Sequence, residues 1–395
     1  MLTQTATAGA PSTVATASNY REYVNPQWVT LLNLLGMNVE YERCLGCELF
    51  TKDGRRILDF LSGYCVHNVG HNHAYVIQAL KNEMDKCGPA MLQSHVPEIA
   101  GDLARRLCQL AGGGLEKVYF GSSGSEGVEA AIKFARASTE RAGILYAKSS
   151  FHGLTTGALS LMNDAFWREG FGPLLLDTHG VPFGDISAIE SAITSKRYAA
   201  LVLEPVQAEG GIRVPSREYL QQAQELCHRT GTLFVLDEVQ TGMYRTGSFL
   251  AAHQFGLRPD IVILAKALSG GLMPVSAVLM TDKIYKAVYS SLKRAIVHTS
   301  TFSENSLSKR AGLATLDVLA NEDLGARFIS RRNLPRQAAL GTGRLGDGQG
   351  SSRHGSFERN RIFPAKKAGS ACAVRSFSWR SSRNVRTDHG HAHVS

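Results

Sequence analysis

Residues 115–137 read LEKVYFGSSGSEGVEAAIKFARA and decide the fold, because they contain a strand, a turn and a helix in succession. The first part, LEKVYF, is a short run that favours β-structure. In the last part, Val128, Ala131 and Ala135 recur at helical spacing. The glycines and serines between these parts are typical of a tight connection. The stretch therefore predicts one βα unit.

Strand and helix patterns alternate along the rest of the chain. Apolar runs predict further strands at residues 143–146, 200–203, 233–236 and 260–264. A helical pattern over residues 217–229 is preceded by Ser216, a good N-cap, and followed by Gly231, a good stop. Apolar strands separated by helices predict an α/β fold with a mainly parallel sheet that is covered on both faces. Ligands of such sheets bind at the carboxyl ends of the strands.

The composition excludes several classes of protein. The chain has 395 residues, 44% hydrophobic and 19% charged, which is ordinary for a globular protein. A single core stops growing near about 250 to 300 residues, so two domains are expected. No stretch approaches the roughly 18 apolar residues of a membrane span, and no membrane partner is expected. Residues 1–20 lack the features of a signal peptide, which predicts a disordered N-terminal arm and a cytoplasmic location.

The excess of basic residues lies at one end of the chain. The net charge is +9, but residues 331–395 contain 13 Lys and Arg against three acids, whereas residues 1–330 contain 30 against 31. A nearly neutral body does not favour a nucleic-acid partner. About 15% of the tail is Leu, Ile, Val or Phe, which is typical of disorder. The tail is a solvated basic segment, an arm attracted to RNA or membrane, or an out-of-frame translation; its abrupt onset favours the last.

The cysteines do not predict a disulfide framework. There are seven, an odd number, which fits a reducing compartment. Cys44 and Cys47 form a C-x-x-C pair, and His67, His71 and His73 follow. This spacing leaves open a zinc or redox site and a pair of reduced thiols. Because no second C-x-x-C is present and CLGCELF is typical of a turn into a strand, the sequence favours reduced thiols and no metal.

Two neighbouring predicted strands end in ionisable residues. FVLDE places Asp237 at the end of a buried strand, where a carboxylate is costly unless a cation meets it. DIVILAK places Lys266 after the next strand. A buried ion pair is one explanation, and the turn at Gly124 can be a plain tight connection. That turn can also bind phosphate, and the three features together match the needs of pyridoxal phosphate (PLP): a phosphate cradle, a Schiff-base lysine and an acid beside the ring nitrogen.

Seven sequence blocks, in order, resemble the class III (ornithine, acetylornithine, putrescine or ω-type) PLP-dependent aminotransferases. They are GCELFTKDGRRILDFLSGYCVHNVGHNHAYV (46–76), YFGSSGSEGVEAAIKFAR (119–136), SFHGLTTGALSL (150–161), LEPVQAEGGI (203–212), FVLDEVQTGMYRTG (234–247), DIVILAKALSGG (260–271) and HTSTFSENSL (298–307). The resemblance implies fold type I, with a large PLP-binding domain over residues 76–320. It implies a small domain built from residues 21–75 and a C-terminal segment, which the tail leaves incomplete.

The resemblance also implies roles for individual residues. Lys266 is expected to form the Schiff base and to move the substrate proton, and Asp237 to pair with the ring nitrogen. The other expected cofactor contacts are Ser123, Gly124 and Ser125 at the phosphate, Phe151 stacked on the ring with His152 beside it, Glu204 behind the ring, Gln240 at the phenolic oxygen, and Ser300 and Thr301 from a neighbouring subunit. The last two imply a homodimer with a shared active site.

Two positions depart from the family and bear on the substrate. Members specific for amino acids have a carboxylate-binding arginine where this sequence has Leu154. Glu209 stands where the family often pairs a glutamate with a C-terminal arginine, which cannot be assigned in the tail. These residues favour transfer from a diamine or ω-amino compound to a 2-oxo acid or aldehyde. The alternatives are an acetylornithine or ornithine aminotransferase, another PLP reaction such as an aminomutase or decarboxylase, and an inactive product.

Overall fold

The structure, a computed structural model, describes residues 18–91 and 94–332. Residues 1–17 of the predicted arm and the tail from residue 333 onward lie outside the described residues. Residues 18–20, predicted to belong to the disordered arm, instead begin a helix. Residues 331 and 332, predicted to begin the tail, end the last described helix.

The described residues form ten strands and fourteen α-helices. The strands are β1 (Tyr41–Leu45), β2 (Glu48–Thr51), β3 (Arg56–Leu58), β4 (Lys117–Gly121), β5 (Gly143–Ala147), β6 (Thr178–Val181), β7 (Tyr198–Leu203), β8 (Leu233–Asp237), β9 (Ile261–Leu264) and β10 (Ser276–Met280). The helices are α1 (Ser18–Tyr23), α2 (Pro26–Leu34), α3 (Ser62–Cys65), α4 (Ala74–Asp85), α5 (Glu98–Ala111), α6 (Gly124–Thr139), α7 (Thr156–Ser160), α8 (Ala165–Arg168), α9 (Ile186–Ile193), α10 (Arg217–Thr230), α11 (Ala251–Phe255), α12 (Asp282–Val288), α13 (Ser306–Asn321) and α14 (Leu324–Arg332).

Seven strands form a central sheet in the order β4-β10-β9-β8-β7-β5-β6. The strands from β9 to β6 run parallel, and β10 is antiparallel to both of its neighbours. This arrangement confirms the predicted α/β fold with a mainly parallel sheet. The sequence patterns predict β4, β5, β7, β8 and β9 and miss β6 and β10.

The central strands are apolar because helices cover both faces of the sheet. Along β8, Phe234 and Leu236 pack into one hydrophobic cluster and Val235 packs into a second cluster on the opposite face. All three side chains are fully buried. The strand ends at Asp237, so its first ionisable side chain lies at the carboxyl edge of the sheet.

Two helices begin and end as their sequences predict. α6 directly follows β4, and its N-cap Ser123 accepts a hydrogen bond of 3.2 Å from the N–H of Glu126. α10 is capped by Ser216, which accepts a 3.1 Å bond from the N–H of Tyr219. Gly231 ends α10 with a φ of +68°, a left-handed conformation that suits glycine. Local capping chemistry therefore fixes both boundaries.

The N-terminal part of the chain contains a small antiparallel sheet in the order β1-β2-β3. Cys44 lies on β1, and Cys47 lies in the turn before β2. The six cysteines of the described residues are free. Among all the described residues, no group of three or more His, Cys, Asp or Glu side chains is placed to hold a metal ion. None of the described helices has the length and apolarity needed to cross a membrane.

Candidate active site

A cavity of about 520 Å³ lies where β8 and β9 end and α6 begins. The structure brings nine of the predicted site residues into its wall: Ser123, Gly124, Ser125, Phe151, His152, Glu204, Asp237, Gln240 and Lys266. They come from five separate segments of the sequence. The prediction that ligand chemistry gathers at the carboxyl edge of the sheet therefore agrees with the position of this cavity.

The N-terminus of α6 forms one end of the cavity. The first N–H groups of a helix have no partner within the helix and carry the positive end of its dipole. The carboxylate of Glu126 accepts a 2.6 Å bond from the N–H of Ser122, which fixes the turn before the helix. A Cβ atom at Gly124 would lie 3.2 Å from both methyl groups of Val239, so a larger residue would crowd the turn. This end of the cavity suits an anion such as phosphate.

The turn after Phe151 packs against the same end of the cavity. Gly153 has a φ of +122°, and a Cβ atom there would lie 2.1 Å from Oγ of Ser125. Only glycine permits both the conformation and the close approach. The ring of Phe151 meets Trp167 edge-on, with 5.5 Å between the ring centroids. The glycine thus brings Phe151 and His152 beside the helix N-terminus.

Asp237 is held by two hydrogen bonds inside the cavity. Its Oδ2 lies 2.8 Å from Nδ1 of His152, and its Oδ1 accepts a 3.1 Å bond from the N–H of Val239. The Asp237 and His152 side chains are both buried. Nε2 of His152 is also buried and has no hydrogen-bond partner among the described residues. Sequence reasoning placed both residues in the site but did not predict their contact.

Lys266 follows β9 and begins a 3-10 turn over Lys266–Ser269. Its φ of +46° is uncommon for a residue with a side chain. Burial lowers the pKa of the Lys266 amine, and the negative charge of Asp237 opposes that shift. In the described part of the chain Lys266 and Asp237 are not within ion-pair distance, and Asp237 contacts His152 instead. A buried amine with a lowered pKa is readily neutral and nucleophilic.

Glu204 is buried after the end of β7. Its Oε2 accepts a 3.3 Å hydrogen bond from the N–H of Phe151. Burial raises the pKa of the Glu204 carboxyl well above its usual value, and the neighbouring charge of Asp237 adds to the effect. Burial thus shifts the equilibrium toward the neutral form, which can donate a hydrogen bond within the cavity.

Four of the predicted residues do not line the cavity. Leu154 lies at the protein surface and is 51% exposed to solvent. Glu209 is exposed and accepts a hydrogen bond from Gln240 of the wall. Ser300 and Thr301 lie instead beside a second cavity of about 310 Å³, whose wall includes Thr299. Within one chain, therefore, the last two residues do not line the cavity at the N-terminus of α6.

Sequence reasoning missed one segment of the wall. Residues 271–275 line the cavity with mostly apolar side chains, and Val66 joins them from the N-terminal part of the chain. The glycine pair Gly270-Gly271 is the signal that could have identified this segment. A Cβ atom at Gly271 would lie 2.4 Å from Nδ1 of His67, so the chain passes very close to the N-terminal part there.

The groups in the cavity fit PLP. The N-terminus of α6 offers N–H donors to a phosphate, a buried carboxylate held by His152 suits a protonated ring nitrogen, and a buried amine is available for a Schiff base. The fold and this site together define the class of protein, a PLP-dependent transferase of fold type I.

Comparison with known proteins gives the family. The family model described as Aminotransferase class-III matches residues 33–333. The chain therefore belongs to the class-III aminotransferases, as the sequence blocks predict.

Individual relatives show the same likeness. Aminotransferase PigE from Serratia sp. is 41% identical over 315 residues, which are 80% of this chain and 37% of that protein. A putrescine aminotransferase from Pectobacterium atrosepticum is 38% identical over 336 residues, 82% of this chain and 69% of that protein. A PLP-bound amine transaminase from an uncultivated Pseudomonas species is 28% identical with a TM-score of 0.68, and the match covers 82% of this chain and 76% of that one. This chain thus spans little more than a third of the PigE relative.

Proposed function

We propose that the protein transfers an amino group from a diamine or ω-amino compound to a 2-oxo acid or an aldehyde, with PLP as cofactor. The observation that carries the proposal is the meeting of Lys266, the Asp237–His152 pair and the N-terminus of α6 in one cavity. When bound, PLP supplies an electron sink for the carbon that loses and regains a proton.

Each of these side chains of the cavity has its own role in the proposed reaction. The N-terminus of α6, with Ser123 and Ser125, holds the phosphate, and Phe151 stacks on the ring. His152 orients Asp237, whose charge keeps the ring nitrogen protonated. Lys266, whose pKa is lowered by burial, binds the cofactor and then carries the proton at the reacting carbon.

Two features support an amine donor over an α-amino acid. Lys266 is the one Lys or Arg side chain among the described residues of the cavity wall, so no guanidinium is available there to bind a carboxylate. A relative that is 38% identical is named putrescine aminotransferase. Leu154 occupies the position implied for a carboxylate-binding arginine. Because Leu154 is exposed and does not line the cavity, it supports an amine donor less strongly than the side chains of the wall do.

The proposal includes a homodimer in which Ser300 and Thr301 of one subunit reach the phosphate site of the other. In the same segment of the chain, Leu292 is 96% exposed, Ile296 80% and Phe302 61%. Apolar side chains clustered at the surface in this way are typical of protein interfaces.

The proposal also includes the domain boundaries and the cellular location of the protein. We propose a small domain that begins with residues 21–75 and a large domain over residues 76–320. The six free cysteines of the described residues support a cytoplasmic location.

The absorption of bound PLP tests the proposed function. The purified protein with PLP is expected to show the visible band of lysine-bound cofactor, and putrescine added without an acceptor is expected to remove that band. The Lys266→Ala variant is the control, because it lacks the amine that generates the band. A wild-type band that no amine and no amino acid changes would contradict an aminotransferase.

A further inference from the structure

Glu209 lies at the mouth of the active-site cavity. Its Oε1 accepts a 3.2 Å hydrogen bond from Nε2 of Gln240, a residue of the cavity wall. The Glu209 side chain is exposed, and its other carboxylate oxygen, Oε2, has no hydrogen-bond partner among the described residues. One oxygen therefore fixes the carboxylate to the wall and leaves the other available to a ligand.

The orientation of Gln240 is itself fixed. The Sγ of Cys65 lies 3.8 Å from Oε1 of Gln240 and donates a weak hydrogen bond to it. Because the amide oxygen faces the thiol, the amide nitrogen faces Glu209. A wall residue with one preferred amide orientation thus holds the carboxylate in place.

Among the residues that the structure describes, no cation lies in ion-pair contact with Glu209. Within residues 18–91 and 94–332, no Lys or Arg forms an ion pair with it. The charge of Glu209 nevertheless affects the ionisable groups inside the cavity. Burial lowers the pKa of Lys266 and raises that of Glu204, and the Glu209 carboxylate acts on both groups. A negative charge at the mouth attracts a cationic substrate and repels a carboxylate.

We propose that Glu209 binds the distal ammonium group of a diamine donor while the other amino group reacts beside Lys266. A charge-assisted hydrogen bond between an ammonium and a carboxylate is stronger than a neutral one and also fixes direction. The inference rests on the proposed function, because it requires that the cavity accept a primary amine. It makes Glu209 a residue that selects diamines over monoamines.

The experiment compares putrescine with butylamine, which has the same carbon chain but only one amino group. The measured quantity is the ratio of kcat/KM for the two donors. Glu209→Gln keeps an oxygen for Gln240 and removes the charge, so the ratio is expected to fall about tenfold or more. Glu218→Gln removes another exposed acid, at the start of α10, and is expected to leave the ratio as in wild type.

Binding is measured separately from turnover. In the PLP-loaded Lys266→Ala protein, calorimetry with putrescine is expected to show about tenfold weaker binding once Glu209→Gln is added. An unchanged ratio and unchanged binding would overturn the role of Glu209 while leaving the aminotransferase intact. A wild-type enzyme that accepts amino acids but neither amine would overturn the amine donor and the role of Glu209 together.

Discussion

At the residue scale, His152 is the side chain that hydrogen-bonds Asp237 among the described residues. We predict that His152→Ala lowers the affinity for PLP about 10- to 100-fold, because removal of a hydrogen bond to a buried charge costs about 1.5 to 3 kcal/mol. Without the imidazole, the N–H of Val239 is the one donor to the carboxylate that remains among the described residues. The carboxylate is then less firmly held in position for the ring nitrogen.

An absorbance titration with PLP at several pH values measures this effect. His179→Ala is the matched control, since His179 is exposed on β6, far along the sheet from Asp237. Equal PLP affinity in wild type and His152→Ala at every pH would show that the imidazole is dispensable.

At the residue scale, the sequence predicts positions better than contacts. Asp237 and Lys266 each follow an uninterrupted apolar run, so the strand pattern alone places both at one edge of the sheet. The contact between His152 and Asp237 joins positions 85 residues apart, and no local pattern encodes it. The exposure of Leu154 is likewise a result of how its turn packs, which sequence spacing does not determine.

At the scale of elements, helix α13 contains an unusual buried lysine. Lys309 is fully buried; its Nζ donates a 3.1 Å bond to Oγ of Ser308 and lies 4.3 Å from the ring centroid of Phe120. Burial lowers the pKa of the Lys309 amine to about 7, and the charge of Glu304 opposes the shift. The folded protein therefore holds this lysine largely neutral above pH 7.

This lysine makes the stability of the protein depend on pH. Between about pH 7 and the unfolded pKa of about 10.4, the unfolded chain binds a proton at Lys309 that the folded chain does not. The free energy of unfolding therefore rises with pH in that window, by about 1.4 kcal/mol per pH unit from this group. Lys309→Met is expected to lack this part of the slope and to be more stable near pH 7.

Urea unfolding at pH 7, 8 and 9 compares the slopes of the wild type and the variant. Lys283→Met removes an exposed lysine from α12 and serves as the control. Parallel slopes for wild type and Lys309→Met would mean that Lys309 remains charged in the fold.

The elements that the sequence predicts are those with strong local signals. α10 has both a capping serine and a stop glycine, and β8 and β9 are uninterrupted apolar runs. β10 is also fully buried, but its SAVLM sequence follows a proline and lacks a preceding helix of its own. Its pairing with β4 joins segments far apart in sequence, and no α-helix separates it from β9. This is why alternation of strand and helix misses it.

At the scale of the whole molecule, the match to the family ends almost where the excess of basic residues begins. The match to the family ends at residue 333, and the excess of basic residues begins at residue 331. The family match therefore covers residues 33–75 of the predicted small domain and none of the chain beyond residue 333. An out-of-frame origin of the tail stays a prediction that mass spectrometry of the natural protein can check.

The proposed shared active site is a property that only the whole assembly can test. If Thr301 acts on the partner subunit's cofactor site, one intact site needs Lys266 from one chain and Thr301 from the other. We predict that Lys266→Ala and Thr301→Asp homodimers are each nearly inactive, because the first lacks the amine and the second places a negative charge beside a phosphate.

Mixing the two variants is then expected to restore activity. Random reassociation after mild dissociation makes half of the dimers mixed, and each mixed dimer has one intact site, so activity returns to about a quarter of the wild-type value. Wild type taken through the same dissociation and reassociation sets the reference value. Activity that stays at the level of the separate variants, in a mixture shown by native mass spectrometry to contain mixed dimers, would place Thr301 in the cavity of its own chain or outside any active site.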